Sequence, residues 1–94
     1  MGADSLIDWN SSFRQTPDLE LSEVLDGFLV YQPARDRLHY LNPTAAAVLQ
    51  MCDGSLRGAD LAEVLTAAFR QPVPRGDVED CLRKFLDERL IEPT

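Results

Sequence analysis

The spacing of apolar residues changes at Asn42–Pro43, and this change constrains the fold more than any other feature of the chain. Before it, short stretches have the two-residue period or the β-branched and aromatic content of strands. After it, apolar residues recur every three or four positions, the period of a helix with one buried face. Asn is favoured as a helix N-cap and Pro as the first helical residue, so this pair marks the boundary.

Three strands are predicted before the boundary. Residues 19–22 alternate apolar and polar, residues 28–31 are β-branched and aromatic, and residues 37–41 form the third strand. The turn pair Asp26–Gly27 separates the first two, and Pro33, which has no N–H for a ladder, separates the last two. Strands joined by such short connections form an antiparallel meander.

Three helices are predicted after the boundary. The first ends at Asp53–Gly54, with Gly54 as a left-handed cap, the second spans about 58–69, and the third spans about 76–89. The apolar stripe of the third helix consists of Val78, Cys81, Leu82, Phe85 and Leu86. The predicted fold class is α+β, winged-helix-like, with a three-stranded antiparallel sheet followed by three helices.

Residues 1–18 differ from the rest because they are polar and acidic and end at Pro17. We predict an N-terminal arm with weak structure of its own over 1–18 and a body domain over 19–94. Trp9 and Phe13 are four residues apart, so one helical turn would place both on one face. The favoured alternative, given the looseness of chain termini, is a flexible tail whose aromatic side chains dock on the body.

The charge balance limits the partners. Sixteen acidic residues against nine Lys and Arg give a formal net charge of −7. Affinity for nucleic acids and anionic membranes comes largely from cations, so neither partner is expected. The chain also has no secretion signal and no run of about 18 apolar residues that would span a membrane. With only two cysteines in the sequence, we expect a cytoplasmic protein with reduced thiols.

His39, Cys52 and Cys81 are the candidate metal ligands and nucleophiles. None has a second ligand at the close spacing that zinc sites use. Both cysteines lie on apolar helical stripes, where Cys acts as a small hydrophobic residue. We therefore expect core packing for the two thiols, and no catalytic residue, metal or cofactor.

The third strand is the most informative segment because both of its faces carry apolar residues. Leu38 and Tyr40 share one face, and His39 and Leu41 share the other. Since Leu41 directly precedes the helix cap, we expect His39 and Leu41 to face the helices and Leu38 and Tyr40 to face outward. An uncovered edge strand of this kind can accept an extended peptide as an added strand. The alternative is that the N-terminal arm covers this face.

The motifs of the body, in their order, resemble those of the PqqD family over residues 19–92. They are Leu25–Asp26–Gly27, Val30–Tyr31, Leu41–Asn42–Pro43–Thr44–Ala45–Ala46, Cys52–Asp53–Gly54, Asp77–Val78, Phe85–Leu86 and Leu90–Ile91. The resemblance implies a winged-helix peptide chaperone, or RiPP recognition element, that binds the leader of a ribosomally made precursor peptide. Such a protein presents the precursor to a modifying enzyme, for example a radical SAM protein, a protease or a cyclase.

The resemblance also implies a site, in which the leader adds along the edge of the third strand and its side chains enter the groove beside the third helix. The implied peptide-binding residues are Arg37, Leu38, His39, Tyr40 and Leu41 of the strand and Val78, Cys81, Leu82 and Phe85 of the helix. At the rim, Arg37, Arg83 and Lys84 would meet acidic leader residues. Two other functions stay open: a winged-helix DNA-binding or transcription-regulating protein, and a scaffold whose sheet edge pairs with a second copy.

Overall fold

Four strands come first along residues 10–94, the part of the chain that this computed structural model describes, and three helices and two further strands follow. In chain order the elements are β1 (Ser12–Gln15), β2 (Glu20–Val24), β3 (Gly27–Gln32), β4 (Arg37–Leu41), α1 (Pro43–Met51), β5 (Asp53–Arg57), α2 (Gly58–Phe69), α3 (Arg75–Asp87) and β6 (Ile91–Pro93). A 3-10 turn, Pro33–Arg35, joins β3 to β4. No helix of this part is long and apolar enough to cross a membrane.

The predicted meander is confirmed as the antiparallel sheet β2–β3–β4, with β3 in the middle. In its register, Leu38 lies opposite Tyr31 and Tyr40 lies opposite Leu29. Directly opposed residues share a face, so these four side chains lie on the same side of the sheet. Within residues 10–94, β4 pairs only with β3 and is therefore an edge strand.

The three helices lie close to their predicted positions. The Asn42 side chain caps α1 by accepting a hydrogen bond from the backbone N–H of Ala45 at 2.8 Å, as the Asn–Pro pair predicts. The predicted cap at the other end is wrong, because Cys52 is the C-cap and Gly54 lies inside β5. Gly54 does have the left-handed backbone predicted for it, with a φ of 88°.

A second antiparallel sheet, in the order β5–β1–β6, has no counterpart in the predicted fold. Its central strand β1 includes Phe13, whose side chain is only 4% exposed. The predicted weak structure is therefore wrong for Ser12–Gln15, because β1 is paired on both sides by strands from the middle and the end of the chain. The alternative of a flexible tail with docked aromatic side chains is right about the docking of Phe13, but Phe13 lies in a strand. Trp9 lies outside the described residues.

One hydrophobic core joins both sheets to the three helices. Its fully buried large side chains are Phe85, Leu49, Leu61, Leu65, Leu82, Leu90, Val30, Val48 and Val78. These come from β3, all three helices and the segment before β6, so the α+β fold class is confirmed. The winged-helix label stays a prediction.

Candidate functional site

The outer edge of β4 is the first wall of the candidate site. Its two outward side chains, Leu38 and Tyr40, are 62% and 52% exposed. The inward Leu41 is buried and His39 is half-buried. The predicted facing of these four residues is confirmed. Among residues 10–94, β4 has no partner on its outer edge, and its outer face is apolar and exposed.

The second wall is a stripe of α3 and its C-cap. This stripe consists of Asp77, Cys81, Lys84 and Glu88. Because they are three or four positions apart, their side chains lie on one face of the helix. At one end, Glu88 Oε1 lies 3.6 Å from Arg37 Nη2 of β4. At the other end, a cavity of about 270 Å³ is lined by Asn42, Thr44, Asp77, Asp80 and Cys81. We call the channel between this stripe and the inner face of β4 the β4–α3 groove.

A buried amide fixes α3 against the sheet at the end of the groove. Gln32 of β3 is buried, and its Nε2 donates to the backbone carbonyls of Glu88 at 3.1 Å and Arg89 at 3.2 Å. Arg35 also donates to the Glu88 carbonyl, at 3.0 Å. These bonds satisfy carbonyls at the C-terminal end of α3 that have no partner within the helix, and they hold this end of the groove at a fixed width.

The same amide determines which nitrogen of His39 carries a hydrogen. Because Nε2 of Gln32 is occupied by two carbonyls, its Oε1 is the atom 3.2 Å from His39 Nε2. An amide oxygen only accepts hydrogen bonds, so His39 Nε2 must donate. The Nδ1 atom of neutral His39 is then the ring nitrogen with a lone pair.

Burial lowers the pKa of His39, and Arg37, Lys84 and Arg35 lower it further, while Glu88 acts in the opposite direction. His39 is therefore mainly neutral at pH 7. A positive charge on the ring would add to three cations that already surround this part of the groove.

The two cysteines differ in accessibility. Cys52 is buried, donates its thiol to the Val48 carbonyl at 3.2 Å, and has its pKa raised by burial to about 12. Cys81 is half-buried at the groove, and burial raises its pKa as well. Both are free thiols. Among residues 10–94 no group of three or more His, Cys, Asp and Glu side chains is arranged to hold a metal ion.

Three of the four residues predicted for the helix side of the groove lie in the core. Val78, Leu82 and Phe85 are at most 1% exposed, so the exposed groove wall is the neighbouring stripe, and peptide contact by these three residues stays a prediction. The physical reason is that α3 packs its most apolar stripe against α1, α2 and β6, so the less apolar neighbouring stripe lines the groove. Of the predicted residues, Cys81 lies on both stripes.

The predicted rim residues separate into two groups. Arg37 and Lys84 lie at the groove, whereas Arg83 pairs with Glu79 and Asp80 of its own helix, both at 3.2 Å. Asp77 and Glu88 were not predicted as site residues. The positions of these two could have been found from their four-residue spacing to Cys81 and Lys84.

Comparisons with known proteins agree with this geometry. The family model described as Coenzyme PQQ synthesis protein D (PqqD) matches residues 27–91. The chain belongs to the PqqD family. The predicted family resemblance is thereby confirmed, and the matched PqqD region includes β3, β4 and α3, the elements that form the groove.

A solved structure has a similar fold. It is described as TbiB1 in Complex with the TbiA(beta) Leader Peptide, and the likeness has a TM-score of 0.66 at 16% sequence identity. The likeness covers 84% of this PqqD-family chain and 94% of that chain. A search of curated proteins gives no match. None of these findings supports the DNA-binding alternative.

Proposed function

We propose that this PqqD-family chain is a non-catalytic module that binds the leader of a ribosomally made precursor peptide and presents the precursor to a modifying enzyme. The observation that carries the proposal is the edge of β4, which is unpaired in the described part of the chain and lies beside the β4–α3 groove. Family membership supports it, as does a fold shared with a chain described in complex with a leader peptide.

The leader would bind as a fourth strand of the sheet. Alternate backbone groups of an edge strand point away from the sheet, so β4 can form a ladder with an extended peptide of any sequence. Specificity then comes from the peptide side chains, which alternate between two faces. One set packs beside Leu38 and Tyr40, and the other set enters the groove near His39 and Cys81.

The partner enzyme belongs to the proposal only as a class, such as a radical SAM protein, a protease or a cyclase. A short edge strand can hold one part of a precursor while the rest of it stays accessible to such an enzyme. The two free thiols suit a reducing compartment, so a cytoplasmic location is part of the same proposal.

An NMR titration tests leader binding directly. The probe is a synthetic peptide with the leader sequence of the short precursor encoded beside this chain's gene. We expect it to shift the amide signals of Arg37–Leu41 and of α3, because these elements form the two walls of the groove. Shifts confined to other elements, or none at high micromolar peptide, would contradict the proposal.

A further inference from the structure

Lys84 differs from the arginines at the β4–α3 groove because its side chain has no partner within residues 10–94. Arg37 is engaged with the Glu88 carboxylate, and Arg35 donates to the Glu88 carbonyl. Lys84, exposed on the same stripe, has no hydrogen bond or ion pair within residues 10–94. A charged ammonium group held beside a peptide-binding edge is free to pair with an incoming anion.

The position of Lys84 along the groove determines which peptide side chain it would meet. In an added strand, the side chains that face α3 lie beside the inner-face residues of β4. Leu41 is buried and Arg37 already has a partner, so the open inner-face position is the one beside His39. On α3, Glu88 lies at Arg37 and Cys81 lies beside Asn42, so Lys84, between them, is level with the middle of β4, where His39 lies. A side chain placed there lies between the imidazole and the ammonium group.

The two ends of the groove differ in charge, and this difference indicates where an acidic side chain of a bound peptide would lie. The end near Asn42 carries Asp77 and Asp80. Arg83 pairs with both Asp80 and Glu79, so this end keeps an excess of acidic groups and repels an acidic side chain. The end near the 3-10 turn carries Arg35 and Arg37 against Glu88, while Asp36 of the same turn accepts a hydrogen bond from Tyr31 of the outer face. An acidic peptide residue is therefore favoured at the His39 position and disfavoured about one turn of α3 further on.

From these placements we propose that the leader carries an aspartate or glutamate that occupies the groove between His39 and Lys84. The inference rests on the proposed leader binding and adds the chemical class of one leader residue to it. Lys84 supplies the charge. His39, whose Nε2 donates to Gln32, offers Nδ1 as a second donor once that atom is protonated.

Protonation of His39 is linked to the occupancy of this position. In the free protein, burial lowers the pKa of His39, and Arg37, Lys84 and Arg35 lower it further against one acid, Glu88, so the ring is mainly neutral at pH 7. A bound carboxylate adds a second acid and favours the protonated ring. Because the complex then binds more protons than the free protein, affinity rises as the pH falls from about 7.5 to about 6.

Zero-length cross-linking tests the contact, because Lys84 is the only lysine in the sequence. A carbodiimide activates a leader carboxyl group, the Lys84 amine displaces the activating group as a urea, and an amide bond forms. We expect tandem mass spectrometry to locate the amide between Lys84 and one acidic leader residue. In Lys84→Arg the charge is kept and the amine is lost, so we expect normal leader binding without this cross-link.

Binding measurements test the energetic role. We expect Lys84→Gln to weaken leader binding about three- to tenfold, the range for a partly exposed ion pair. Replacing the cross-linked Asp or Glu of the leader by Asn or Gln should weaken binding by the same factor. Combined with Lys84→Gln, it should weaken binding no further than either change alone. The matched control is Arg14→Gln, since Arg14 is an exposed cation in β1, which belongs to the other sheet.

A pH series completes the test. We expect the wild-type chain to bind the leader more tightly at about pH 6 than at about pH 7.5, and His39→Gln to lose this difference. Leader binding that is independent of Lys84, of the acidic leader residues and of pH would overturn this inference alone. Failure of the wild-type chain to bind the leader at all would overturn the proposed function as well.

Discussion

Two cysteines of one chain provide a built-in comparison for the groove. Cys81 is half-buried on the groove stripe, whereas Cys52 is buried with a pKa of about 12. The thiolate is the reactive form, so we expect iodoacetamide at about pH 8.5 to alkylate Cys81 well before Cys52. Bound leader should slow alkylation of Cys81, because it covers this wall of the groove. Peptide mapping by mass spectrometry measures both rates.

The control for this experiment is Cys81→Ser, in which alkylation of the native protein should fall to the slow rate of Cys52. Two results would contradict the placement of Cys81: alkylation of Cys52 as fast as that of Cys81, or an unchanged Cys81 rate with saturating leader.

Single residues also show how far the sequence predicts the site. The facing of Leu38, His39, Tyr40 and Leu41 follows from the two-residue period of strands and from the adjacent helix cap, and the structure confirms it. The groove wall on α3 was not predictable in the same way. An apolar stripe shows which face of a helix is buried, but its neighbours along the chain do not show which flank borders the sheet.

At the scale of elements, β4 is the strand whose edge should decide peptide binding. Leu38 is largely exposed in the free protein, so Leu38→Lys removes little buried surface and should change stability by less than about 0.5 kcal/mol. In the complex, the same change places a charge beside the peptide strand. Loss of the apolar contact should weaken binding about tenfold, as measured by isothermal titration calorimetry.

Leu25→Lys is the matched control for this prediction. Leu25 is a fully exposed leucine at the turn between β2 and β3 and is not part of β4. We expect it to leave leader affinity unchanged, and equal weakening by the two substitutions would contradict a role for the edge. Tyr40 is a poorer choice, because its hydroxyl donates to the Asp26 carbonyl at 2.9 Å and a change there also disturbs the turn.

The elements themselves differ in how much of them the sequence predicts. The β2–β4 meander and the three helices follow from local patterns, because each carries its own period, turn or cap. The strands β1, β5 and β6 are three to five residues long and pair with segments far away in the sequence. Such pairings depend on the packed core, so no local pattern near Ser12–Gln15 predicts them.

At the scale of the whole molecule, the segment around β1 connects parts of the chain that would otherwise meet only through the core. The backbone N–H of Gln15 donates to the Cys52 carbonyl at 2.9 Å, and its side chain donates to the Leu49 carbonyl at 3.1 Å. The backbone N–H of Thr16 donates to the Leu90 carbonyl at 3.0 Å. This segment thereby holds the ends of α1 and of the α3 region, and α3 is one wall of the groove.

The buried side chain of β1 gives this connection a measurable consequence. Phe13→Ala should lower the free energy of unfolding by about 3–5 kcal/mol, because it removes a buried aromatic ring and leaves a cavity. Arg14→Ala is the control in the same strand: its exposed pair with Glu92, at 2.8 Å, contributes at most about 1 kcal/mol. Urea denaturation of the two variants measures the difference.

Since a domain of this size has a total stability of roughly 5–15 kcal/mol, Phe13→Ala should also lower the fraction of folded, leader-binding protein on warming. Equal urea midpoints for the two variants would show that β1 does not support the core.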